Sequence, residues 1–176
     1  MPHIHTEPGQ HDHTASAVVI RIDGPEPRVM LHRHKKHGVY MQFGGHVELD
    51  ETPWQTIQHE LLEESGYELQ QLTLLQPKDR IKSLPAVVLH PQPVCVNTHK
   101  FKEGHYHTDS IYALTTTEAP AHHIAEGESA DFKLMTRQEL IDLPADQKFP
   151  DVEQICLYML DQCVPHWDRV DPKEYK

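Results

Sequence analysis

The sequence predicts a single α/β domain. Runs rich in β-branched residues, bounded by turn residues, fill much of the chain up to about residue 114. A well-capped helical segment interrupts them between residues 53 and 65. Near the C-terminal end the pattern changes to a helical period, with apolar residues at 152, 155, 156, 159, 160 and 163. No internal repeat or linker divides the chain. The expected boundaries are a flexible histidine-containing tail over residues 1–14 and one domain over 15–176.

The elements follow in order. ASAVVIRI (15–22) reads as a strand, DGPEP as a turn and RVMLHRH (28–34) as the returning strand. HRHKKHG is a basic loop and VYMQF (39–43) a short strand. Thr52 suits the N-cap of the first helix, with Pro53 at the first helical position and Gln55 completing a capping box. Gly66 suits its C-terminal cap. QQLTLLQP (70–77) and the proline-broken stretch 86–101 are strand-rich, and KEG (102–104) turns 94–114 into a hairpin. Thr136 and Glu139 form a second capping box opening a short helix, TRQELIDL. DVEQICLYMLDQCV (151–164) presents one apolar helical face for the sheet, and HWDRVDPKEYK is a polar end.

Composition narrows the function. The 176 residues carry a formal net charge of -11, which disfavours stable binding to nucleic acid or to an anionic membrane. There is no apolar run of membrane-spanning length and no signal-peptide pattern. Cys95, Cys156 and Cys163 have no metal-ligand spacing and suit a reducing, cytoplasmic setting. Sixteen histidines are many for this length; four of them, His3, His5, His11 and His13, lie in the expected tail. They offer either a solvated segment or a metal-binding tract.

The helix at 53–65 poses the main chemical question. Ile57 and Leu61 are four apart and face a core. Glu60, Glu63 and Glu64 project from a neighbouring face near the C-terminal end. Like charges at these spacings oppose one another by roughly a few tenths of a kcal/mol per pair, and the helix dipole adds a similar cost. A hard divalent cation would turn that repulsion into a site, because magnesium prefers carboxylate oxygens and bridges them to phosphates. Gly44 and Gly45 just before the helix allow close backbone approach.

Five residues separate Gly45 from Glu51, and seven more lead to His59-Glu60-Leu61-Leu62-Glu63-Glu64-Ser65-Gly66-Tyr67. This resembles the Nudix box: Gly, five residues, Glu, seven residues, Arg-Glu-aliphatic-any-Glu-Glu-any-Gly-aliphatic. Every glycine and glutamate is in register. The resemblance implies an α/β/α sandwich with a mixed β-sheet between helices. It implies hydrolysis, dependent on Mg2+ or Mn2+, of a diphosphate bond in a nucleoside diphosphate linked to another moiety. By position, Glu60 and Glu64 become the main metal ligands. Glu63 becomes a further ligand or the group that activates water, and the Gly45 carbonyl another ligand. Glu51 supports the loop–helix geometry or reaches a metal through water. His59 stands at the arginine position, Phe43 where a proline often precedes the glycines, and Tyr67 at the final aliphatic position. Imidazole offers at most two donors against five for guanidinium, so His59 braces Glu51 and Glu60 less firmly than arginine would.

Outside the box, His105, His107 and Asp109 share one strand face by period two and are candidates for a substrate-pocket wall or a second metal. Glu126, Glu128 and Asp131 sit in a loop where a glutamate could act as base. Arg33, Lys35 and Lys36 could meet substrate phosphates. Two other readings stand beside hydrolysis: a noncatalytic nucleotide-ligand sensor, and an isoprenoid diphosphate isomerase using Cys95. The expected partner is a small diphosphate derived from a nucleotide. Oligomeric state is open, with a homodimer among the options.

Overall fold

The computed structural model describes residues 7–175. Three segments of the first half, β1 (Gln10–Arg21), β2 (Arg28–Arg33) and the pair β3 (Tyr40–Met41) and β4 (Phe43–His46), precede helix α1 (Pro53–Ser65). Strands β5 (Thr73–Gln76), β6 (Cys95–Lys102), β7 (His105–Thr116) and β8 (Phe132–Met135) follow. Then come α2 (Arg137–Asp142), α3 (Pro150–Tyr158) and the short β9 (Asp168–Val170). Among the described residues one sheet has the path β3-β2-β1-β7-β5-β9, with β4 joined to β1, β6 to β7 and β8 to β2. The sheet is mixed: β1 and β7 run parallel, from Gln10 opposite His105 to Arg21 opposite Thr116, and the other pairings are antiparallel.

The two faces of β1 and β7 are covered differently. Ala15, Ala17 and Val19 with Tyr112 and Leu114 pack under α1, which contributes Trp54, Ile57 and Leu61. Val18 and Ile20 with Ile111 and Ala113 pack under α2 and α3, which contribute Leu140, Val152 and Cys156. The result is the expected α/β/α sandwich. Burial of Ile57 and Leu61 contributes roughly 1.5–3 kcal/mol each, which outweighs the repulsion among the helix carboxylates.

Local chemistry fixes α1. The Thr52 hydroxyl accepts from the Gln55 N–H, and the Gln55 side chain accepts from the Thr52 N–H at 2.9 Å. Gly66 ends the helix at φ 73°, a left-handed conformation that glycine adopts without Cβ strain.

Four expectations are corrected. The first strand begins at Gln10 rather than 15, because His105–Asp109 of β7 supply parallel backbone partners to residues 10–14. His11 and His13 therefore belong to the sheet, whereas His3 and His5 lie outside the described residues. The stretch 86–94 forms no strand; Pro91 and Pro93 lack the N–H that a sheet ladder needs, and β6 starts at Cys95. The segment around Asp168 is not merely a polar end, since β9 pairs with β5 through Leu74 opposite Val170. The last helix passes through a π-helical stretch, Met159–Cys163, before a final turn at Val164–His166.

Candidate active site

A cavity of about 470 Å³ opens between the acidic face of α1 and the N-terminal half of the β1–β7 sheet. Glu60, Glu63 and Glu64 line it, together with Gly44, Gly45 and His59. Glu63 is exposed, whereas Glu60 and Glu64 are buried. The capped helix sets their direction, and the β4 backbone meets them from the other side. Glu64 Oε2 accepts the Gly44 N–H at 2.7 Å. The Glu60 carboxylate lies so close against Gly45 that a Cβ there would fall 2.7 Å from its Cδ.

Burial raises the pKa of Glu60 and pushes Glu64 up to about 8. For Glu64 the Gly44 bond opposes that rise, while the charges of Glu60, Glu128 and Glu63 add to it. His32, also buried, stands 3.9 Å from Glu64 Oε1. Desolvation, with a smaller contribution from His34, takes its pKa down to about 4. Burial thus works against an ion pair between the two.

His59 bridges two glutamates. Its Nδ1 is 2.9 Å from Glu51 Oε1 and its Nε2 is 3.4 Å from Glu60 Oε1. Thr56 Oγ1 donates to the other Glu51 oxygen at 3.0 Å. Glu51 thus braces the loop–helix junction, and His59 reaches both carboxylates that an arginine would span. Glu60 Oε1 is buried and, beyond the approach of His59 Nε2, accepts no hydrogen bond from the described residues. Buried carboxylate oxygens beside a glycine backbone form a donor set that suits a hard divalent cation.

The rest of the cavity is built by the sheet. Period two places Asp12, Thr14 and Ser16 of β1 on the same face as His105, His107 and Asp109 of β7. Asp109 is buried and accepts from Thr14 Oγ1 at 3.0 Å and Ser16 Oγ at 2.9 Å. Burial raises its pKa against those bonds. His107 and Asp109 line the cavity, while His105 is buried beside Asp12. Glu128 lines the cavity and is close enough for its charge to raise both Glu60 and Glu64.

Two candidate phosphate contacts are placed elsewhere. Arg33 donates to the Gly38 carbonyl at 3.0 Å, and Lys35 donates to the Gly127 carbonyl. The basic loop instead lends Lys36, His34 and His37 to the cavity wall, with Lys36 4.3 Å from the Phe101 ring centroid. Asp131 accepts from Tyr40 Oη at 2.8 Å. Cys95 packs against the α3-side core, where burial and then the Asp109 charge raise its thiol pKa, and it is not among the cavity-lining residues. That position removes the group the isomerase reading requires.

Sequence reasoning missed Asp12, Thr14, Ser16, His32 and His46. The period-two series Asp12-Thr14-Ser16 was legible in principle, but the first two fell within the segment expected to be a tail. His32 and His46 had no such signal.

The fold and the box together define the class. The NUDIX domain profile matches residues 12–157, and the chain belongs to the Nudix family. No curated protein sequence matches it significantly. Among solved structures, a Nudix-family hydrolase from Clostridium perfringens is 24% identical, with a TM-score of 0.68 over 85% of this chain and 96% of the other. A C. elegans Ap4A hydrolase in a binary complex is 17% identical, with a TM-score of 0.62 over 82% and 91%. The Nudix domain of Shewanella oneidensis NrtR, complexed with ADP-ribose, is 16% identical, with a TM-score of 0.58 over 84% and 86%. Among the described residues no helix is long and apolar enough to cross a membrane.

Proposed function

We propose that this protein is a divalent-metal-dependent hydrolase of a diphosphate bond in a nucleoside diphosphate linked to another moiety. The observation that carries the proposal is the convergence of Glu60, Glu63 and Glu64 with the Gly44–Gly45 backbone on one cavity. Glu60, Glu64 and the Gly45 carbonyl would hold Mg2+ or Mn2+, with Glu63 and Glu51 able to support it. The cation, when bound, supplies charge neutralisation of the diphosphate and activation of water. Glu63, exposed to the cavity, accepts the proton of the attacking water. His59 and Glu51 keep Glu60 in place. Lys36, at the cavity wall, offsets phosphate charge. The solved relatives bound to ADP-ribose or described as an Ap4A hydrolase support a nucleotide-derived substrate. The free thiols of Cys95, Cys156 and Cys163 support a reducing, cytoplasmic setting.

The test is a hydrolysis screen over nucleoside triphosphates, dinucleoside polyphosphates, nucleotide sugars and dinucleotide coenzymes. It is run with magnesium or manganese beside Glu64→Gln, with products identified by mass. Turnover that disappears in the variant is the expected result, and the bond cleaved names the substrate. A folded, metal-binding protein that binds one of these compounds and returns it intact would replace the hydrolase with a ligand sensor.

A further inference from the structure

We propose that Asp12, His105 and His107 form a second metal site, with His46 beside it. Its chemistry selects a zinc-class divalent transition metal rather than magnesium. One ligand atom from each of Asp12, His105 and His107 lies within 4.8 Å of the others, and all three residues are buried. His105 Nε2 is 3.2 Å and His46 Nε2 3.5 Å from Asp12 Oδ2. Ligands at about 2.0–2.2 Å from a tetrahedral ion stand about 3.3–3.6 Å apart, so the Asp12–His105 pair is already close to one edge of such a site. The His46 and His107 rings are 4.9 Å apart and nearly perpendicular, so they approach one volume from different directions.

The strands preorganise the set. Asp12 is directly opposite His107 in the parallel ladder, His105 lies two residues earlier on the same face, and His46 is opposite Thr14 on β4. Phe101 stacks on His107 at 4.6 Å with rings 12° from parallel, which limits rotation of that imidazole. His46 and His107 also line the cavity, which gives an ion a route in.

This cluster is separate from the acidic helix in both place and chemistry. Asp12 lies three residues along β1 from Ala15, the partner of Gly45, or about 10 Å at the rise of a strand. Imidazoles with one carboxylate favour zinc and its neighbours, whereas all-oxygen sites favour magnesium. An ion here would tie β1 and β7 together and place positive charge on the cavity wall beside His46.

The test measures zinc binding to the full-length protein by calorimetry and by metal analysis after dialysis. Four proteins are compared: wild type, His105→Ala/His107→Ala, Glu64→Gln, and His3→Ala/His5→Ala. Circular dichroism checks that each is folded, and Asp12→Asn is the milder substitute if the double histidine variant does not fold. Wild type and Glu64→Gln are expected to retain one tight zinc ion per chain. His105→Ala/His107→Ala should lose it by more than about 100-fold in affinity, beyond the cost of losing an outer-sphere partner. Wild-type protein that binds no zinc overturns the proposal. So does zinc that survives in His105→Ala/His107→Ala and disappears in His3→Ala/His5→Ala, or zinc lost only in Glu64→Gln. None of these readouts depends on hydrolysis, so a failed activity screen leaves the result intact.

Discussion

Gly45 and the carboxylate of Glu60 occupy adjoining space so closely that position 45 has no room for a Cβ. Any side chain there must push the glutamate, the β4 backbone or both. Gly45→Ala is therefore expected to lower kcat by about 100-fold, the scale of a 1 Å misplacement of a catalytic group. Because the clash is with the end of the Glu60 side chain, which can swing aside, stability should fall by less than the roughly 1–3 kcal/mol of an overpacked core. Steady-state kinetics beside thermal unfolding checks both. A variant with wild-type kcat would mean that Glu60 does not work from this position.

His59 joins Glu51 and Glu60 with one ring nitrogen each. His59→Ala removes both contacts and is expected to reduce kcat or metal affinity by about 10- to 100-fold, the usual cost of losing a residue that orients ligands. His59→Arg should retain or exceed wild-type activity, because guanidinium has donors enough for both carboxylates. Magnesium titration of the rate separates the two effects. Equal losses in both variants would show that the bridge matters for packing rather than for orientation.

Glu63 and Glu128 both face the cavity, and they should not be equivalent. Glu63→Gln is expected to cost about 100- to 10,000-fold in kcat, as loss of a general base does. Glu128→Gln should cost less than about tenfold, because its effect on Glu60 and Glu64 is exerted through charge alone. The opposite ranking in single-turnover rates would assign the base to the loop.

His32 predicts a slope in stability with pH. Burial holds its pKa at about 4 in the folded protein, against an ordinary 6.5. As pH falls below 6.5 the unfolded chain takes up a proton that the native imidazole refuses. Stability present above 6.5 is therefore lost progressively towards pH 4, by on the order of 3 kcal/mol. Urea unfolding at pH 7 and pH 4.5 should show a smaller loss in His32→Gln than in wild type. Parallel curves for the two proteins would mean that His32 is protonated in the native state.

What the sequence made legible was local or periodic. The N-cap at Thr52, the stop at Gly66 and the spacing of the glutamates need only their neighbours, so α1 and its acidic face could be placed from the chain alone. The face shared by His105, His107 and Asp109 needed only strand alternation. What was not legible depends on contacts between distant segments. Asp12 becomes part of a buried wall because β7 lies beside it, and its alternation with Thr14 and Ser16 does not name that partner. Lys36 rather than Lys35 reaches the cavity because of the loop's path after β2, which charge composition does not encode. The short β9 exists because β5 offers it an edge.

The parallel pairing of β1 with β7 also constrains how the molecule is made. Thr14 and its partner Asp109 are 95 residues apart. At roughly 5–20 residues per second of synthesis, the N-terminal strand leaves the ribosome about 5–20 s before its mate exists. During that interval the run Ala15 to Ile20, fully buried in the finished protein apart from Ser16, has no β7 to lie against. The chain is most exposed to misassociation while it is being translated, and slow translation ahead of residue 105 lengthens the danger.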